Sequence, residues 1–314
     1  MWYTTNKGSE KMIDFKPLDI TKKEEYDRFL HNCGERGCEY SFANLYLWGR
    51  QLGAVVDGYL VLLSQFDKAS VYPYPIGEGD IKPVLDTIMA DAKQRGILCR
   101  FTGLTAQECI DLEQMYPGKF RIFCDRSQYD YVYRIDDLAD LKGKKFQRKR
   151  NHLNRFWQEN PDCVLVPLGE ENLEAVRQMV YQWFENRMQQ DAQGDYYMER
   201  LALNRALSHR DILQMESLVL MQGDQVLAMT MGSRMSEDTF DIHFEKAVEG
   251  VDGAYPAINQ GFAKYLREKY PEIKYLNRED DLGLEGLRKA KLSYCPDHLI
   301  EKCWARMRED EYEY

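Results

Sequence analysis

The chain has 314 residues, 44% of them hydrophobic and 30% charged, with a net charge of −10. That composition is globular, not disordered, and the length suits two domains of ordinary size. No stretch approaches eighteen consecutive apolar residues, which excludes a transmembrane helix, and the acidic balance excludes a protein coated in nucleic acid or held to a membrane by its whole surface.

Residues 1–11 are polar and lack an apolar core, so they read as a flexible tail and not as a signal peptide. Ordered structure is expected from Met12 onward. The eight cysteines are scattered, and several sit in apolar runs, such as Cys99 between Leu98 and Arg100. They read as reduced, mostly buried thiols of a cytoplasmic protein. Cys33 and Cys38 form one close pair near His31, but no second pair completes four ligands, so no metal site is expected.

In chain order, residues 15–18 read as a strand with a Pro-Leu turn. A helix follows over 22–31, with Tyr26, Phe29 and Leu30 at helical spacing. Next come a strand at 59–63, a Tyr72-Pro73 element, a helix over 81–95 and a strand at 97–101. The second half repeats this order. Residues 166–168 form strand and Pro-Leu turn, and 170–184 a helix bearing Leu173, Val176, Val180 and Phe184. A strand at 217–221, a hairpin of 225–231 with 239–245, Tyr255-Pro256, a helix over 257–269 and a strand at 273–276 complete it. Matching 59–63 to 217–221, and one Tyr-Pro to the other, makes the chain an internal duplication. Strands alternating with helices indicate α/β layering, and the hairpin makes the sheets mixed.

Between the halves, residues 141–157 hold seven Lys or Arg and no acid. Gly143 and Pro161 bracket one helix. Phe146, Leu153 and Trp157 form its apolar stripe, and cations cover much of the rest. Lys144, Lys145, Arg148, Lys149, Arg150 and Arg155 are candidates for holding a phosphate-bearing partner such as a tRNA. The competing reading is a solvated helix that offsets the acidic domains.

Three features of the second half carry candidate chemistry. On the strand at 240–245, Phe240, Ile242 and Phe244 alternate with Asp241, His243 and Glu245. Glu245 or His243 is the candidate base for an amine acceptor; an ordinary wet sheet face is the alternative. Then Gly250 and Gly253 lead through Tyr255-Pro256 into a helix, a junction that favours anions. Finally, a short strand ends in Asn277, Arg278, Glu279, Asp280 and Asp281, followed by a glycine-containing loop and Arg288, Lys289 and Lys291. Such strand ends bind ligands, and the acids suit an amine-bearing substrate. Surface ion pairs around a capped helix are the alternative.

Residues 277–293, with 243–247, 253–256 and the basic 141–145, resemble an uncharacterised bacterial family related to the C-terminal domain of phosphatidylglycerol lysyltransferases. The resemblance covers most of the chain. It implies an α/β (α+β) protein of two tandem GNAT-like (N-acetyltransferase-like) domains, as in Fem-type aminoacyltransferases. Residues 12–135 would form the first, 136–160 the basic connector and 161–314 the second, which carries the site. It also implies an aminoacyl- or acyltransferase, with aminoacyl-tRNA or an acyl-CoA as donor and an amine or hydroxyl as acceptor. Glu245 or His243 would act as base. Tyr255, Asn277, Arg278, Glu279, Asp280, Asp281, Arg288 and Lys291 would bind substrate. Gly250, Gly253 and Pro256 depart from the Gln/Arg-Gly-Gly loop of acetyl-CoA-dependent members. An acetyl-CoA-dependent N-acetyltransferase and a non-catalytic binding module stay open as alternatives.

Overall fold

The fold is given by a computed structural model, which describes residues 12–31, 36–66, 69–190 and 196–308. The expected tail and Cys33 lie outside the described residues. The chain forms two compact units, one running to Tyr129 and taking in the segment from Ile300, the other spanning Asp130–Leu299. The expected boundaries at 135 and 161 thus differ from the observed ones.

The first unit contains β1 (Lys16–Pro17), α1 (Lys23–Leu30), α2 (Phe42–Trp48), β2 (Gln51–Val56), β3 (Tyr59–Phe66), β4 (Ala69–Pro73), β5 (Ile76–Gly77), α3 (Lys82–Gln94), β6 (Arg100–Leu104), α4 (Ala106–Met115) and β7 (Phe120–Cys124). Asp57 and Gly58, both at positive φ, close the two-residue turn between β2 and β3, as such a hairpin requires. Thr105 and Glu108 cap α4 reciprocally. Its sheet runs β1-β2-β3-β4-β6, then Cys303–Met307, then β7, with β5 beside β3.

The second unit contains β8 (Asp130–Arg134), α5 (Ile135–Asp140), α6 (Gln147–Glu159), β9 (Cys163–Pro167), α7 (Glu170–Gln190), α8 (Tyr197–His209), β10 (Glu216–Gln222), β11 (Gln225–Arg234), β12 (Thr239–Ala247), α9 (Ala254–Lys269), β13 (Tyr275–Asn277), α10 (Glu285–Leu292) and β14 (His298–Ile300); Cys303–Met307 is therefore β15. Its sheet runs β9-β10-β11-β12-β13-β8-β14. Position by position this repeats the first sheet, and each has a parallel pair at the same place, β4 with β6 and β12 with β13.

The duplication therefore holds, but two of its expected matches shift. In the common strand order β10 corresponds to β2, so the run 217–221 does not match 59–63. Tyr72-Pro73 ends β4, whereas Tyr255-Pro256 lies in the first turn of α9. The sixth strand of each sheet was also misplaced by the sequence reading. Asp130–Arg134 belongs to the second unit, and Cys303–Met307 to the first. On that first sheet Cys303 lies opposite Cys124, and the two form a disulfide. The expectation of reduced thiols fails for this pair, whereas Cys99, Cys109, Cys163 and Cys295 are free thiols.

The basic connector is no linker. Phe146, Leu153 and Phe156 are buried in one core with Ala254, Ala257, Ile258 and Phe262 of α9. Phe156 takes the place expected of Trp157, which is only partly buried. Contact is close because Gly253 caps α9 at φ 95°, and a Cβ there would sit 2.6 Å from the Phe156 side chain. Phe156→Ala should destabilise the second unit by about 3–5 kcal/mol, as for other buried aromatics. Urea denaturation followed by circular dichroism checks this; a loss below 1 kcal/mol would make the helix peripheral.

Candidate active site

The register of β11 against β12 sets the site. Thr230 lies opposite Glu245 and Met231 opposite Phe244, but Gly232 lies opposite Ile242 and Ser233 opposite Asp241. His243 is an extra residue without a partner, a β-bulge. Gly232 is required there, because a Cβ would meet the Asp241 carbonyl oxygen at 2.3 Å. One extra residue reverses the alternation beyond it. The expected face of Asp241, His243 and Glu245 is therefore split. Glu245 and Ala247 join Phe240 and Ile242 on the α9 face, where Asn259 of α9 donates to Glu245 at 3.1 Å. Phe244 and Lys246 join Asp241 on the other. There the Lys246 ammonium lies 2.6 Å from Glu199 of α8 and 3.8 Å from the Trp183 ring of α7.

β12 and β13 are paired only where Thr239–Asp241 runs beside Tyr275–Asn277. β13 then stops while β12 continues to Ala247, so the strands part. The chain leaving β13 carries Arg278 to one side and Glu279 to the other.

On the α9 face Arg278 Nη2 donates to Glu245 Oε1 at 2.9 Å, both side chains being largely buried. Burial disfavours the guanidinium, but Glu245 outweighs it and holds its pKa above the ordinary value. Tyr294 and Tyr133 lie 5.2 and 5.7 Å from the Arg278 guanidinium. The Lys149 ammonium, reaching in from α6, sits 3.9 Å from the Tyr294 ring. Burial, then Arg278, pushes its pKa down, and burial pushes the Tyr294 hydroxyl up to about 12. Two buried polar atoms here, Arg278 Nη1 and Asn259 Oδ1, have no hydrogen-bond partner among the described residues. Such atoms are costly unless a ligand or water satisfies them.

On the other side, His243 Nε2 pairs with Ser233 Oγ at 2.8 Å. Its Nδ1 faces Glu279 Oε1 at 3.4 Å and Asp241 Oδ2 at 3.5 Å. Burial disfavours the imidazolium, yet the two carboxylates, Asp241 above all, raise its pKa.

Several expected ligand-binding residues instead build the loop. Asn277 is fully buried, donates to Asp130 at 2.9 Å and accepts from the Glu279 amide at 2.7 Å. This steadies Glu279 at φ 56°, a strained conformation for a residue with a side chain. Asp281 accepts from Tyr131 at 2.6 Å and from both edges of the Arg288 guanidinium at 2.8 and 3.0 Å. Arg288 first, with Tyr131 and the Gly283 amide, holds the Asp281 carboxyl well below the usual range. Lys291 is buried and donates to the carbonyls of Arg278 and Glu279. Asp280 is half-buried in the same loop. Tyr255 projects from the first turn of α9, its hydroxyl set against the Ala247 backbone and Trp183.

The connector cations divide too. Arg150 donates to the carbonyls of Leu141 and Gly143, Lys145 pairs with Asp137, and Arg155 and His152 pair with Asp252. Lys144 and Arg148 are exposed and make no ion pair among the described residues. Asn259, Tyr133, Tyr294 and Ser233 are not among the residues the sequence singles out. The alternation of β11 marks the position of Ser233 and the helical phase of α9 that of Asn259, but nothing in the sequence marks the convergence of all four.

The family model described as phosphatidylglycerol lysyltransferase, C-terminal, matches residues 31–306. The chain belongs to that family. A conserved protein of unknown function from Bacteroides thetaiotaomicron is 36% identical, with a TM-score of 0.88 over 95% of this chain and all of that one. L-PGS from Bacillus licheniformis is 17% identical, with a TM-score of 0.65 over 93% of each chain. FemX is 10% identical, with a TM-score of 0.62 over 95% of this chain and 98% of that one. The fold is thus that of tandem GNAT-like proteins. An uncharacterised protein of Mycoplasmoides gallisepticum is 26% identical over 180 residues, 56% of this chain and 55% of that relative. The match therefore spans about half the length of the curated relative. The family is thus that of phosphatidylglycerol lysyltransferase C-terminal domains, and the fold is shared with FemX. No helix among the described residues is long and apolar enough to cross a membrane.

The role of Lys291 is directly testable. Its two hydrogen bonds hold a strained loop, and a charged donor contributes about 1.5–3 kcal/mol. Lys291→Met should lower unfolding free energy by about that much in chemical denaturation. An unchanged stability with weakened substrate binding would return it to the substrate-binding role.

Proposed function

We propose that the second unit transfers an aminoacyl or acyl group from an ester donor, best supplied by an aminoacyl-tRNA, to an amine or hydroxyl acceptor. The observation that carries this reading is the buried Glu245–Arg278 pair at the mouth of the parted strands, with Arg278 Nη1 lacking a hydrogen-bond partner among the described residues. In the proposed step the acceptor nitrogen or oxygen adds to the ester carbonyl while Glu245 takes its proton. Arg278 Nη1 donates to the developing oxyanion. The tetrahedral intermediate then collapses, breaking the ester C–O bond, and the leaving donor oxygen takes back the proton held by Glu245. His243 fits the base role less well, because two carboxylates and Ser233 already enclose its imidazole.

Lys149 links α6 to the Glu245–Arg278 pair, and exposed Lys144 and Arg148 on the same segment suit the donor's phosphates. The family name and the fold shared with FemX support an aminoacyl donor. Such a donor fits a cytoplasmic setting. An acetyl-CoA donor fits poorly, because Gly250, Gly253 and Pro256 depart from the Gln/Arg-Gly-Gly loop of acetyl-CoA-dependent members.

Release of amino acid from a mixed aminoacyl-tRNA pool, with a polyamine acceptor, tests the reaction. Glu245→Gln should slow it about 10²–10⁴-fold while tRNA binding persists. A binding module without chemistry gives no turnover even in the native chain. Reversing Lys144 and Arg148 to Glu should weaken tRNA binding and flatten its salt dependence. Unchanged binding at low salt would sink the phosphate-holding role, and calorimetric binding of acetyl-CoA would favour the alternative donor.

A further inference from the structure

On the face opposite Glu245, the bulge brings together Asp241, His243 and Glu279, whose nearest ligand-capable atoms all lie within 4.8 Å of one another. Asp241 is fully buried and the His243 side chain is 2% exposed. His243 Nδ1 stands 3.4 Å from Glu279 Oε1 and 3.5 Å from Asp241 Oδ2. Both distances are longer than a good N–H···O hydrogen bond, which falls at about 2.7–3.2 Å. They match the spacing of corners around a tetrahedral zinc-like ion, about 3.3–3.6 Å for metal–ligand bonds near 2.0–2.2 Å. Ser233 Oγ, 2.8 Å from Nε2, is the outer partner that a metal-bound imidazole needs to fix its orientation.

The backbone supplies an independent observation. Glu279 is held at φ 56° by the Asn277 side chain, by Lys291 and by the Tyr131 amide. Strain of that kind in a non-glycine residue costs about 1–3 kcal/mol and persists where a side chain must be aimed. Here the aim is at the imidazole.

We propose that Asp241, His243 and Glu279 form a binding site for one first-row divalent cation of the zinc type, with a fourth position open. No metal was expected from the sequence, because the three residues lie on two separate segments. The site is separate from the Glu245–Arg278 pair, and its occupancy is read without acyl transfer, so the two proposals fail independently.

The full chain, stripped with a chelator, is titrated with zinc chloride and in parallel with cobalt chloride. The expected result is one equivalent bound at micromolar zinc or below, with the visible absorption of tetrahedral cobalt. Asp241→Asn and Glu279→Gln should each weaken binding by more than the roughly 10–100-fold expected of Ser233→Ala. Circular dichroism confirms that each variant is folded. Two results overturn the proposal: no uptake at micromolar zinc by the folded native chain, or uptake that survives both substitutions and so belongs to the cysteines.

Discussion

The register between β11 and β12 governs everything the second unit can do. One unpaired residue, His243, turns the strand so that Glu245 points toward α9 and Asp241 toward α7 and α8. Without it, both carboxylates and the imidazole would crowd one side, and three titratable groups would compete for a single set of partners. With it, each side receives its own cluster and its own counter-charge. The parting of β12 from β13 depends on the same geometry, because a bulge increases local twist and ends regular pairing. The site is therefore an interruption of the sheet and not an addition to it.

Most of the fold is legible in the residues. Apolar periodicity marks α3, α7 and α9, and continuous apolar runs mark β3 and β10. Pairing between distant strands leaves no such trace. Runs 59–63 and 217–221 look alike because both are buried on two faces, although they hold different places in their sheets. The bulge at His243 is equally silent, since an extra residue exists only relative to a partner strand. In the stretch 277–281 that the resemblance singles out, neighbouring residues take quite different partners. Arg278 pairs with Glu245, while Asn277 and Asp281 are consumed in building the loop. Burial and partners separate those roles; residue type does not.

The basic segment shows how a charge cluster loses generality once folded. Seven cations in sequence suggest one broad phosphate surface. Backbone carbonyls, Asp137 and Asp252 claim Arg150, Lys145 and Arg155, and Tyr294 receives Lys149. Of the exposed cations, Lys144 and Arg148 are left without an ion pair among the described residues, and both lie around the start of α6. A long-range field survives such pairing poorly, because each close counter-charge cancels its partner beyond a few ångströms.

The order of strands carries a consequence for synthesis. The first sheet lacks its sixth member until residues 303–307 have been made, whereas every strand of the second sheet is complete by residue 300. The half that leaves the ribosome first is thus finished last. Until then β6 and β7 each present an edge of unsatisfied backbone groups, the kind of edge that recruits foreign strands. A nascent chain stalled before residue 303 would be a folded second unit tethered to a first unit with an open seam.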